Sequence, residues 1–256
     1  MAFDHSSNPA FNDKYFDECA GSSEVMTVGG TVNKTLILMA IMVCTATFTW
    51  KMCFGASSSF VTFMWIGIIG SFIASMVTIF CRTAAPISAP IYAAFEGLAL
   101  GGISAAYEIN QLVVRDGYLY AKSTSGITLN AFGITVGILL LMLAIYKFQI
   151  IRLTEKMKAG IVMATGGIAL GCLFSLGAKA LGLGTTTYMS SGTCWIVSLV
   201  VAAVAAFNFL LDFEQIEKGA ERRAPIYMEW YCAFGLMLTV VWLYLEILKI
   251  LGKRRK

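Results

Sequence analysis

Glu96, Asp212, Glu229 and Glu246 stand inside or at the edges of long apolar runs in this 256-residue chain. A carboxylate in hydrocarbon has to be neutral, paired or hydrated, so acids placed in this way mark ion paths, proton relays or gates. Glu96 lies near the middle of its run, within FEGLALGG, and is the candidate for the membrane midplane. Asp212 closes another run just ahead of Glu214 and Glu217. Its plain reading is an interfacial acid in a charged helix end. Its functional reading is half of a latch: Arg82 ends an earlier run on the same side, and an arginine–carboxylate contact would hold two helices together until a proton or a cation releases it. Glu229 begins the final run on its turn side, and Glu246 sits further along it. A turn centred near Ala220–Arg222 would set Glu229–Trp230 across from Asp212 and leave Glu246 some 24 Å beyond. A direct Asp212–Glu246 pair is therefore not expected.

Other chemistries lack their parts. The one histidine, His5, lies in the polar N-terminal stretch, so a zinc hydrolase or a serine–histidine intramembrane protease has no imidazole to work with. An aspartyl intramembrane protease needs two carboxylates that share a proton, one of them in a Gly-x-Gly-Asp setting that this chain does not contain. A retinal protein needs a lysine deep in its last span, whereas Lys249 is one turn from the basic chain end and is expected to snorkel. The seven cysteines show no CxxC spacing and fall mostly in apolar runs, where they pack as small hydrophobes. No enzyme chemistry and no cofactor are expected.

The elements that must position these acids follow from composition. Hydrophobic residues are 58% of the chain, charged residues 13%, and the mean hydropathy is +0.75. These values belong to a membrane protein rather than a soluble domain. Seven runs are long enough to span hydrocarbon, roughly 35–52, 58–81, 86–107, 127–146, 159–178, 193–213 and 230–250. Backbone groups in lipid need internal partners and no strand-length alternation is present, so the expected fold is an all-α bundle of seven transmembrane helices. A polar tail (1–33) precedes the helical domain (34–252), and a basic tail (253–256) follows it. The first stretch is acidic, with Asp4, Asp13, Asp17, Glu18 and Glu24, which is unlike a cleaved secretory signal. The net charge of +4 sits mainly in connectors and the basic tail, which suggests topology and anionic lipid rather than nucleic acid.

With the N-terminus inside, inner segments carry Lys14, Lys34, Arg82, Lys147, Arg152, Lys156, Lys158, Lys218, Arg222 and Arg223, against Lys51, Arg115, Lys122 and Lys179 outside. The basic excess favours a cytoplasmic N-terminus. Seven full crossings would then put Lys253–Lys256 outside, whereas a re-entrant last segment would return them to the basic side. Gly67/Ser71, Gly97/Gly101 and Gly167/Gly171 are spaced for close helix contact.

FNFLLDFEQI followed by EWYCAFGLMLTVVWLYLEILKILG resembles the signature of the Bax inhibitor family, also called the transmembrane Bax inhibitor motif family. SSNPAFNDK, MTVGGTVNKT, FEGLALGGIS and IIRLTEKMKAGIVMATGGI are similar to its bacterial YccA-like branch. The resemblance implies seven helices with the last one central, and a pH-sensitive calcium leak governed by two aspartates and an arginine latch. Asp212 matches the first aspartate and Arg82 the latch. Alignment from Ala233 to Gly252 puts Thr239, or its neighbour Val240, where the second acid belongs, with Glu246 two turns beyond Thr239. Either the paired acid has moved or the two-carboxylate sensor is absent, and a calcium activity with altered pH dependence is expected.

Hard calcium takes oxygen ligands, and a conducting path needs weak, partly hydrated sites. Asp212 and Glu96, with Glu246 and the Thr239 hydroxyl, are the expected transient donors, with calcium as the transported ion and protons as the second one. The expected setting is a bacterial inner membrane, with the bilayer as the constant partner. The reading from a different class is a non-conducting membrane protein that regulates other membrane proteins, such as quality-control proteases.

Overall fold

The computed structural model describes residues 25–54, 60–109, 112–115, 118–121, 126–150, 153–180 and 194–253. The expectations for the chain before Val25, including Lys14, and for the basic tail after Lys253 lie outside the described residues. Among the described residues, seven helices are long and apolar enough to cross a membrane. They are α1 (Val28–Phe54), α2 (Phe60–Phe80), α3 (Ala85–Ile109), α4 (Ile127–Lys147), α5 (Glu155–Ala180), α6 (Cys194–Glu221) and α7 (Tyr227–Lys253). A single 3-10 turn, Arg82–Ala84, joins α2 to α3. The long connector after α3 carries a short antiparallel hairpin, β1 (Leu112–Arg115) with β2 (Tyr118–Ala121), which the helices-only expectation did not contain.

Several helix ends lie further out than hydropathy indicates, while α2 is slightly shorter than its expected run, and local capping explains the two largest extensions. Helix α1 starts at Val28 rather than after a tail ending at 33. Thr27 caps it, since the Gly30 amide donates to the Thr27 hydroxyl at 2.9 Å. The residues before the cap are held as well: Met26 N donates to Ala224 O at 2.7 Å, and Val25 bridges Pro225. Helix α6 likewise runs past 213 to Glu221, supported by the Lys218–Glu214 pair at 3.5 Å. It closes with Arg223 in the left-handed region (φ 53°), Ala224 N donating to Gly219 O and Arg223 N to Ala220 O. That is a Schellman termination, and Pro225 behind it cannot continue the helix. The turn is therefore centred nearer Ala224 than Ala220–Arg222. This corrects the expected register, and Thr239 rather than Glu229–Trp230 stands across from Asp212.

Helix α7 has apolar residues on every face with only a few polar side chains among them, the pattern of a helix that has to be buried. It packs on α1, α3, α4, α6 and the 3-10 turn. In α7, 67% of the membrane-length stretch is buried, against 6% in α5, which packs mainly on α6. At 27 residues, or about 40 Å, α7 is one continuous crossing, so Lys253 stands at the opposite end from Arg222 and the re-entrant alternative is set aside. Lys34, Arg82, Lys158, Lys218 and Arg222 gather at one end, because α1, α3, α5 and α7 start there and α2, α4 and α6 finish there.

Small residues permit the tight contacts, though not at every expected place. A Cβ on Gly97 would strike Thr45 and the Met42 carbonyl on α1, and one on Gly101 would strike the Ala46 backbone. A Cβ on Gly67 would meet the α3 backbone at Phe95 and Ala99. Gly167 and Gly171 have open space instead, so the contact expected of that pair is not made within the bundle. Overpacking costs about 1–3 kcal/mol, so Gly97→Ala and Gly101→Ala should each lower the thermal midpoint in detergent. Gly167→Ala should leave it unchanged or raise it slightly, which a thermal shift series would check.

Candidate functional site

Asp212 is 0% exposed, in the middle of the α6–α7 contact. The Thr239 hydroxyl donates to its Oδ2 at 2.6 Å. Thr239, which the resemblance puts where a second acid belongs, thus faces Asp212 with a neutral hydroxyl in place of a carboxylate. Two carboxylates at such a distance would share one proton and titrate in two coupled steps. A carboxylate against a hydroxyl has a single proton to gain.

The other predicted site residues are spread along the bundle. Arg82, in the 3-10 turn, sets its guanidinium over the Tyr231 ring of α7, 5.7 Å from the centroid. Glu246 is buried on α7, two turns beyond Thr239, and takes a hydrogen bond from Lys249 at 2.7 Å. Lys249 therefore turns back to an acid on its own helix as well as reaching the surface. Glu96 is half-buried on α3 near Ser71 of α2, whose hydroxyl donates to Ile68 O at 3.2 Å. The structure joins Asp212 with Thr239 and keeps Glu96 and Glu246 in separate contacts.

Glu229 proves to be the best-furnished acid of the set. It is buried at the start of α7 and accepts from Thr27 N at 2.8 Å, from the Thr27 hydroxyl at 2.9 Å and from the Lys34 ammonium. Lys34 also lies over the Trp230 ring, 5.6 Å from its centroid. Gly30 leaves the room, because any Cβ there would overlap the Glu229 carboxylate. Sequence reading treats Lys34 only as a topology charge and Thr27 as part of a tail. The signal it passes over is Thr27, Gly30 and Lys34 at helical spacing on one face, just before a span.

A cavity of about 750 Å³ opens at the basic end between α1, α4 and α6. Thr31, Thr35, Glu214 and Glu217 line it, and its inner wall includes Phe213, next to Asp212, and Leu236, one turn from Thr239. Glu217 accepts from the Tyr146 hydroxyl, and Glu214 from Lys158 at 2.5 Å. The cavity therefore has a charged rim, and Asp212 and Thr239 themselves lie behind its wall rather than in its lining. Among the described residues, no group of three or more His, Cys, Asp or Glu is gathered as a metal cage. A cation at Asp212 would accordingly complete its shell with water, carbonyl or hydroxyl oxygens.

In comparison with known proteins, the model of the family described as Bax inhibitor 1 like matches residues 8–256. No curated protein and no solved structure matches the chain.

Removing one partner of a buried ion pair costs about 3–5 kcal/mol, because the remaining charge is left uncompensated. Lys34→Met should therefore destabilise the protein strongly in a detergent melt. Lys34→Met combined with Glu229→Gln should recover much of the loss, and a double-mutant cycle reads the coupling directly.

Proposed function

Because the chain belongs to the Bax inhibitor 1 like family, we propose that it is a membrane protein that lets calcium pass, coupled to or gated by protons, with Asp212 as the controlling carboxylate. The observation that carries this reading is a fully buried aspartate that accepts a hydrogen bond from the Thr239 hydroxyl, close to a cavity with a charged rim at one bundle end. In the closed arrangement Thr239 holds the carboxylate in place. Protonation removes the charge that would attract a cation. Deprotonation with entry of a hydrated cation replaces the hydroxyl contact and loosens α6 from α7. Arg82 is the candidate latch at the same end, and Glu96 is a second, midplane carboxylate. A bacterial inner membrane with a cytoplasmic N-terminus agrees with the basic excess at the end where α1 begins.

The test is calcium entry into liposomes that hold the purified protein, at pH 6 and pH 8. Flux should fall at least about tenfold in Asp212→Asn, while the wild-type pH profile follows a single proton. Thr239→Asp should turn that profile into two steps by creating a carboxylate pair. Folded wild type that gives no more flux than empty liposomes at either pH would reject conduction and leave the partner-regulating role.

A further inference from the structure

A second cavity, of about 340 Å³, lies between α1 and α4 in the half of the bundle remote from the basic end. Its floor is buried protein, Leu100 and Ser104 of α3 with Val240 and Tyr244 of α7. Its mouth is formed by exposed residues, Val43 and Thr47 of α1 against Leu129 and Phe132 of α4. Helices α1 and α4 scarcely touch each other, so the cavity opens sideways into the bilayer. From Trp50 and Thr128 it runs to Met39 and Leu139, about eleven residues along each helix or roughly 16 Å. That depth is one leaflet's share of a hydrocarbon core about 30 Å thick. Thr47 and Thr135 line it too, but their hydroxyls donate to Cys44 O and Ala131 O of their own helices. Towards the outer end Ser104 and Tyr244 hydrogen-bond each other at 2.6 Å. The Thr128 hydroxyl oxygen is buried there without a well-formed hydrogen bond among the described residues.

We propose that this cavity holds one acyl chain of a glycerophospholipid from the leaflet at that end, with the ester carbonyl of the chain accepting a hydrogen bond from Thr128. The cost of an empty cavity grows with its volume, so a void of this size left vacant would be strongly destabilising. Water is a poor occupant, because the walls are almost wholly apolar and a buried water needs several polar partners. Spread over that depth, the volume is a slender slot, too narrow for a helix about 10 Å across and matched to a single chain. The bilayer is as apolar as the slot, so a chain is held by close packing and by the Thr128 donor rather than by the hydrophobic effect. A carbonyl at the head of the chain is the acceptor that Thr128 needs at that depth. Met39 and Leu139 also line the vestibule at the basic end, so the tip of the chain forms part of the wall between the vestibule and the bilayer.

Native mass spectrometry of the purified protein, stripped of lipid in detergent and titrated with palmitoyl-oleoyl phosphatidylcholine, tests the assignment without any ion flux. Wild type should bind one phospholipid clearly ahead of the weaker adducts that follow. Thr128→Val keeps the side-chain shape but removes the donor, and should weaken that first binding about three- to tenfold. Val136→Phe puts a ring into the slot from α4. It should abolish the first binding while keeping the lipid-free melting midpoint at or above the wild-type value, because filling a void stabilises. Ile69→Phe, on the exposed face of α2, should bind as wild type does. A wild type with no preferred first lipid, or a Val136→Phe protein that binds it as wild type does, overturns the site. Unchanged binding in Thr128→Val overturns the placement of the carbonyl, and palmitate that displaces the phospholipid at equal concentration overturns the choice of a glycerophospholipid.

Discussion

Helix α7 has protein on nearly all sides, so each polar group along it has to find its partner inside the bundle. Lipid offers no hydrogen bonds, and an unmatched buried group costs several kcal/mol. Its partners come from different helices at successive depths: Thr27 and Lys34 of α1 serve Glu229, Asp212 of α6 serves Thr239, and Ser104 of α3 meets Tyr244 at 2.6 Å. Near the far end Glu246 uses Lys249 of α7 itself. The three contacts to other helices fix the rotation and depth of α7, which a smooth apolar surface could not do. Such pairs are weak sources of net stability, yet a wrong register would leave those three unmatched.

The rest of the bundle is arranged to permit those contacts. Helix α1 comes close to α3 because Gly97 and Gly101 present no side chain there, and Gly30 gives Glu229 the space to reach its lysine. Helices α1, α3, α4 and α6 thus form a cradle, while α2 packs outside it against α3 and α5 stays mostly on the outside against α6. The vestibule lies where this cradle is least closed, between α1, α4 and α6.

The seven crossings and their order are legible in the sequence because hydropathy over about twenty residues is a strong signal. The ends are less legible. The stretch FEQIEKGAE is too polar to count as membrane, yet it continues α6, and its stop is set by the left-handed Arg223 and by Pro225. Without that stop the expected partner of Asp212 shifts from Thr239 to Glu229–Trp230. Thr239 itself is marked only by the family signature, since nothing in the chemistry of one threonine among many distinguishes it. Gly97 and Gly167 carry the same spacing signal, and only the packing of α1 on α3 separates a used glycine from an open one. The Glu229 cluster joins residues at opposite ends of the chain, a relation that local patterns do not encode.

That separation affects how the protein is made. Thr27 and Glu229 are 202 positions apart in the chain, and the Lys34 ammonium depends on the same carboxylate. Contacts of such long range form late in folding. During synthesis α1 enters the membrane first, carrying a lysine with no acid to meet it and a first turn whose cap is not yet held in place. Both are completed only when the α6–α7 turn has left the ribosome and docked on Val25 and Met26. A chain cut short before Glu229 therefore retains an uncompensated cation at the membrane edge, which distinguishes an unfinished molecule from a finished one.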